Sequence, residues 1–350
     1  LFNPDYNNIV KAAENKKPER IPLYEHTVSH KIMETMRGVR FSDLYNGTYQ
    51  DKLEFFRHYS AFFKESGYDT VSYECCIGPA MPGSGALGRQ KEGVIKTRKD
   101  FEAYPWAYVP DFYFEMYGDY FRALDEVMPP GMKGIGGVGN GVFECVQDIV
   151  GFQELCYIKA DDEDLYNDLF AKVGEIIEKI WDRFLEEFAD LYCVCRFGDD
   201  LGYKSSTLLS TEDIKKLIIP QYRRIVDRVH AHGKPFLLHS CGCIFNVMDD
   251  IINEAGINAK HSNEDVISPY SRWIDEYGDR IGNFGGLDTD ALCDSSSVDV
   301  HSYTTNIYRL CEAKKGGAAI GSGNSIPDYV SPDRYSLMLE TVRTLRGDFK

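Results

Sequence analysis

Eight short runs of mainly apolar residues, at 20–24, 69–73, 133–139, 191–197, 234–239, 257–262, 281–285 and 317–321, punctuate the chain and alternate with longer amphipathic stretches. Runs this short, bounded by turn residues and apolar on nearly every position, predict parallel strands covered on both faces. The stretches between them carry apolar residues at helical spacing, such as Leu165, Leu169, Val173, Ile176, Ile180 and Phe184 within 161–190, or Phe55, Phe56, Tyr59 and Phe63 within 50–66. Further helices are expected over 3–18, opened by Asn3-Pro4, and near 28–37, 111–128, 243–254, 268–278 and 297–313. Ser210-Thr211-Glu212-Asp213 resembles a capping box for another, which Pro220 should kink, and Ser331-Pro332 opens the last.

Eight strand-then-helix units with right-handed crossovers predict a (β/α)₈ TIM barrel. The expectation is one domain over 1–350, with an N-terminal helical extension and a long Gly-, Pro- and Ser-rich loop over 77–92, after the second strand. The active site of such a barrel lies where its strands end. That rule gathers Glu25 and His26, Glu74 with Cys75 and Cys76, Asn140 with Glu144, Asp199 and Asp200, His239 with Cys241 and Cys243, His261 with Asn263 and Glu264, Asp288, and Ser322 with Asn324. His239 and Cys241, two residues apart at a strand end, project to one side and have the chemistry to share a metal ion. Gly134-Ile135-Gly136-Gly137-Val138-Gly139 matches Gly-x-Gly-x-x-Gly, but it falls within a strand instead of a turn opening a helix, so it is not read as a dinucleotide site.

Charge narrows the partners. Lys and Arg number 39 against 55 Asp and Glu, a formal charge of −16, and such a field repels nucleic acid and anionic membrane surfaces. No run approaches the ~18 apolar residues of a membrane span, and the first residues have no secretory pattern, so a cytoplasmic location is expected. Ten cysteines without a secretory signal suggest reduced thiols and metal chemistry over a disulfide scaffold.

Gly198-Asp199-Asp200-Leu201-Gly202-Tyr203-Lys204, Pro220-Gln221-Tyr222, His239-Ser240-Cys241-Gly242, Asn283-Phe284-Gly285-Gly286-Leu287-Asp288 and Gly321-Ser322-Gly323-Asn324-Ser325-Ile326-Pro327 resemble the uroporphyrinogen decarboxylase superfamily, specifically its zinc-dependent, corrinoid-linked methyltransferase branch. The likeness spans essentially the whole chain. It implies a (β/α)₈ barrel, zinc on His239 and Cys241, a corrinoid on a separate partner protein, and a place in anaerobic one-carbon metabolism. A homodimer is compatible with it. The family's third ligand, a Cys on the last strand, has no counterpart in Gly321-Ser322-Gly323-Asn324; Glu74, Cys76, Cys243 and Glu144 are candidates for its replacement.

The decarboxylase branch clamps its carboxylated tetrapyrrole with arginines after the first strand, whereas Tyr24-Glu25-His26-Thr27-Val28-Ser29-His30 has none. The expected function is therefore methyl transfer between a small methylated compound, such as a methoxylated aromatic, and a corrinoid protein, with zinc as Lewis acid. The alternative is a metal-free decarboxylase-like lyase acting on a non-porphyrin carboxylate. Asp199, Asp200 and Glu144 are the expected catalytic residues; Asp199 or Asp200 is expected to orient His239 or to bind substrate, with an equal claim for one of them to cap a turn. Tyr24, His26, Tyr73 and Asn324 are expected to bind substrate, the two tyrosines being as compatible with packing.

Overall fold

A computed structural model describes residues 2–88 and 91–349. Seven parallel strands form one sheet in chain order: β1 (Thr70–Cys76), β2 (Lys133–Gly139), β3 (Tyr192–Gly198), β4 (Phe236–His239), β5 (Ala259–His261), β6 (Gly282–Leu287) and β7 (Ala318–Ser322). Each falls on a predicted run and is followed by helix. The eighth run differs. Over 20–24 the chain makes one parallel bridge, Leu23 to Ile320, in which Tyr24 N–H donates to the Ile320 carbonyl and Ile320 N–H to the Pro22 carbonyl, both at 2.9 Å.

Pro22 has no N–H with which to extend the ladder. On its other flank the same segment meets β1, where Ser72 Oγ donates to the His26 carbonyl at 2.6 Å. The expected eight-stranded barrel is thus corrected to seven strands plus an irregular segment between β7 and β1.

Helix positions follow the periodicity, with local exceptions. The first helix covers Asn7–Ala13 and does not begin at Pro4; just before it, Asp5 Oδ1 accepts the Asn7 N–H at 3.0 Å. Pro220 acts on the turn before it: Ile214–Ile218 is π-helical and Ile219–Ala231 resumes the α-helix. Among the described residues no helix is long and apolar enough to cross a membrane.

Two apolar layers hold the fold. The larger lies between strands and helices; the smaller fills the barrel with Ile9, Tyr24, Val194, Leu237, Ala259 and Phe284 among others. Helix Asn7–Ala13 seats against the inner layer beside β3, β6 and β7, and a side chain at Gly282 or Gly317 would strike the Ala12 carbonyl. That end of the barrel is plugged, which leaves the C-terminal ends of the strands as the accessible mouth. The glycine-rich run lies in β2 as expected, and a Cβ at Gly139 would come within 3.0 Å of Cys76 Sγ and 3.1 Å of Glu74 Oε1. The absent side chain leaves those two groups room.

Candidate metal centre at the barrel mouth

Strand parity decides which side chains meet. Leu237 on β4 and Ala259 on β5 belong to the inner layer, so His239 and His261, two residues further along, also face inward. The ladder pairs them directly. Their Nδ1 atoms lie 2.7 Å apart, and His261 Nε2 lies 2.9 Å from the Ser322 carbonyl. His26 covers His239, with ring centroids 3.9 Å apart and planes at 17°. Burial, followed by neighbouring positive groups, drives His26 and His239 well below the ordinary histidine range; burial drives His261 down to about 3.

On the other edge of His239, Nε2 lies 3.3 Å from Cys241 Sγ and 3.8 Å from Asp200 Oδ1. Asp200 is held there by the Cys241 N–H, which donates to Oδ1 at 2.8 Å. Asn324 Nδ2 donates to Cys241 Sγ at 3.3 Å. Burial and then Asp200 push the Cys241 thiol up, outweighing the opposite pull of Lys260.

Two groups of donor atoms come within 4.8 Å of one another among the described residues, Asp200–His239–Cys241 and His26–His239–His261. The near-parallel stack of His26 on His239 keeps their in-plane lone pairs from converging on one ion. The Asp200–His239–Cys241 group has no such obstacle, and its N, S and O donors are those zinc takes.

The other expected residues divide. Glu74 faces inward but is engaged: Arg196, fully buried on β3, donates from Nε and Nη2 to Glu74 Oε2 at 2.9 and 2.8 Å, and from Nη1 to Tyr24 Oη and Ser72 Oγ. His26 Nε2 lies 3.6 Å from Glu74 Oε1. Since Glu74 points inward, its neighbour Tyr73 points outward, where it packs on Phe56 and Phe121. Tyr24 lies edge-on to His261 inside the barrel. Cys76 faces Glu74 and Glu144, and burial pushes its thiol up. Neither Cys76 nor Cys243 belongs to either donor group.

The paired aspartates have different partners. Asp199 accepts the N–H groups of Phe143 and Glu144 and the Tyr222 hydroxyl, at 3.0, 2.8 and 2.6 Å, so it caps the helix Val142–Val150. Burial outweighs those bonds and raises its carboxyl to about 6. Glu144, bonded by Asn140 Nδ2 at 2.8 Å, is held well above the usual carboxylate range by burial and by Asp199 and Asp200. Asp200 beside Cys241, and His261 as partner of His239, are the placements that residue spacing alone does not show, and the choice of Asp200 over Asp199 beside His239 comes from the structure. Both stood among the strand ends, and the signal that singles out His261 is its equal height to His239 on the neighbouring strand.

Beside the donor group a cavity of about 320 Å³ opens at the mouth, lined by Asn263, Glu264, Asp288, Asn324 and Tyr329 among others. The glycines at the end of β7 allow close backbone packing: a Cβ at Gly321 would strike the Tyr24 carbonyl, and one at Gly323 the Asn263 carbonyl.

Residues 92–345 match the family model described as uroporphyrinogen decarboxylase (URO-D). Among solved structures, a methyltransferase from Methanosarcina mazei superposes with a TM-score of 0.71 over 97% of this chain and 98% of its own, at 14% identity. A family 5 glycoside hydrolase from Prevotella bryantii B14 gives a TM-score of 0.44 over 82% and 86% of the two chains, at 12% identity. No curated protein matches the chain significantly.

Proposed function

This chain belongs to the uroporphyrinogen decarboxylase family, and from that premise we propose that it is a methyltransferase. It would move a methyl group between a small methylated compound, such as a methoxylated aromatic, and a corrinoid carried by a separate protein. The observation that supports this most is the Asp200–His239–Cys241 donor group at the open end of the barrel. Asp200 takes the place of the missing last-strand cysteine, and Asn324 on that turn supports the thiol instead of ligating.

Zinc held by these three residues would supply a Lewis acid to the heteroatom that loses or gains the methyl. The remaining roles belong to the chain. The Cys241 N–H fixes Asp200. Asn324 Nδ2 donates to Cys241 Sγ and favours its thiolate form. Glu144, whose carboxyl is pushed well above the usual carboxylate range by burial and by Asp199 and Asp200, is the group that would give a proton to an oxygen that loses its methyl. Asn324 lines the cavity beside the donor group, where substrate would bind. The arginine-free stretch 24–30 gives nothing to pair with a polycarboxylate.

The test mixes the purified protein with a methoxylated aromatic and a corrinoid protein, and follows the cobalt spectrum. Methyl transfer should require the corrinoid protein and fall at least ~100-fold in His239→Ala, the loss of a Lewis acid being worth several kcal/mol. Full methyl transfer by His239→Ala would remove zinc from the reaction, and absence of methyl transfer by the wild type under these conditions would favour the metal-free lyase and sink the proposal.

A further inference from the structure

We propose that His261 is a positioning residue, which through its bond to the Ser322 carbonyl fixes the tautomer of His239 so that the bare Nε2 faces Cys241 and Asp200. A backbone carbonyl can only accept, so the 2.9 Å contact with Ser322 O requires a proton on His261 Nε2. A neutral imidazole with its proton there has a bare Nδ1. The 2.7 Å contact between the two Nδ1 atoms then needs a proton from the other side, and His239 supplies it. His239 is left with an unprotonated Nε2, the atom 3.3 Å from Cys241 Sγ.

The alternative, a doubly protonated His261, would place a charge in the barrel without a counterion. Among the described residues the carboxylates near these rings pair with His26 and His239, not with His261. The ring is also fixed in orientation. Tyr24 meets it edge-on with centroids 5.0 Å apart, and Gly285 leaves the space it fills, since a Cβ there would lie 3.0 Å from His261 Cδ2. Histidine ligands of metals are commonly aimed by such a partner on the second nitrogen. Here the partner is another histidine, aimed in turn by the backbone of β7.

The tautomer is independent of the proposed function, whereas its consequence for zinc rests on that reading, and two measurements separate them. Long-range proton–nitrogen correlation spectra of the metal-free wild type should show His239 protonated on Nδ1 and His261 on Nε2. His261→Phe removes the acceptor and should weaken zinc binding about 10–100-fold, measured by competition with a chromogenic chelator. His261→Gln, whose amide oxygen can accept from His239 Nδ1, should restore most of that affinity. A proton on His239 Nε2 in the metal-free wild type would overturn the relay, as would a folded His261→Phe that leaves both the His239 spectrum and zinc affinity unchanged. The expected spectra in a protein that binds no zinc would uphold the relay and refute the metal centre.

Discussion

Arg196 Nη2 donates to Glu74 Oε2 at 2.8 Å inside the barrel, and Arg196 Nε reaches the same oxygen at 2.9 Å. The guanidinium is fully buried and this carboxylate is its counterion, which argues against Glu74 as a metal ligand. Glu74→Gln leaves a buried charge unpaired and should cost about 3–5 kcal/mol in urea unfolding. Zinc content per folded molecule should stay at the wild-type value, and its loss in a folded Glu74→Gln would place Glu74 in the metal centre after all.

Asp199 and Asp200 should separate cleanly by substitution. Asp199→Ala removes the acceptor of three hydrogen bonds, two from the first turn of a helix and one from a buried hydroxyl. Stranding those donors should destabilise the protein by about 3–9 kcal/mol, at ~1–3 for each. Asp200, with a side chain 44% exposed, should cost within about 1 kcal/mol as Asp200→Ala, while zinc affinity falls. Paired unfolding and metal-binding curves check both; equal destabilisation would contradict the division of roles.

Glu25 ties the irregular segment to β7 by accepting the Ser322 N–H and hydroxyl, and burial raises its carboxyl to about 8 from an ordinary 4.5. A group whose folded pKa lies above its unfolded one contributes stability that is complete below the unfolded value. That contribution is lost as pH rises through the folded value. Between pH ~5 and ~8, wild type should therefore lose about 1.4 kcal/mol per pH unit relative to Glu25→Gln, one proton being taken up on folding. Parallel pH dependences of the two proteins, read from unfolding free energies, would show that Glu25 folds ionised.

The strands were legible because a parallel strand buried on both faces is written as a compact apolar run, and each of the seven lies where such a run does. The segment 20–24 has the same composition, but its pairing is limited by Pro22, a backbone fact that hydrophobicity does not encode. The strand-end rule brought His239, Cys241, Asp200, Glu144 and His261 to one mouth. It did not rank them, because ranking needs inward or outward parity, and parity depends on register. Tyr73 and Glu74 are neighbours on one strand and cannot both face the interior. Nor does the sequence reveal which of Asp199 and Asp200 turns to the helix Val142–Val150 and which to the sulfur.

Asp200, His239 and Cys241 as the zinc ligands form the central claim, and X-ray absorption at the zinc edge of the zinc-loaded protein tests it most directly. One sulfur at about 2.3 Å, with nitrogen and oxygen donors at about 2.0–2.2 Å completing the shell, is expected. In Cys241→Ser the sulfur contribution should vanish. Two sulfurs, which would mean that Cys76 or Cys243 is recruited, or none at all, would contradict it.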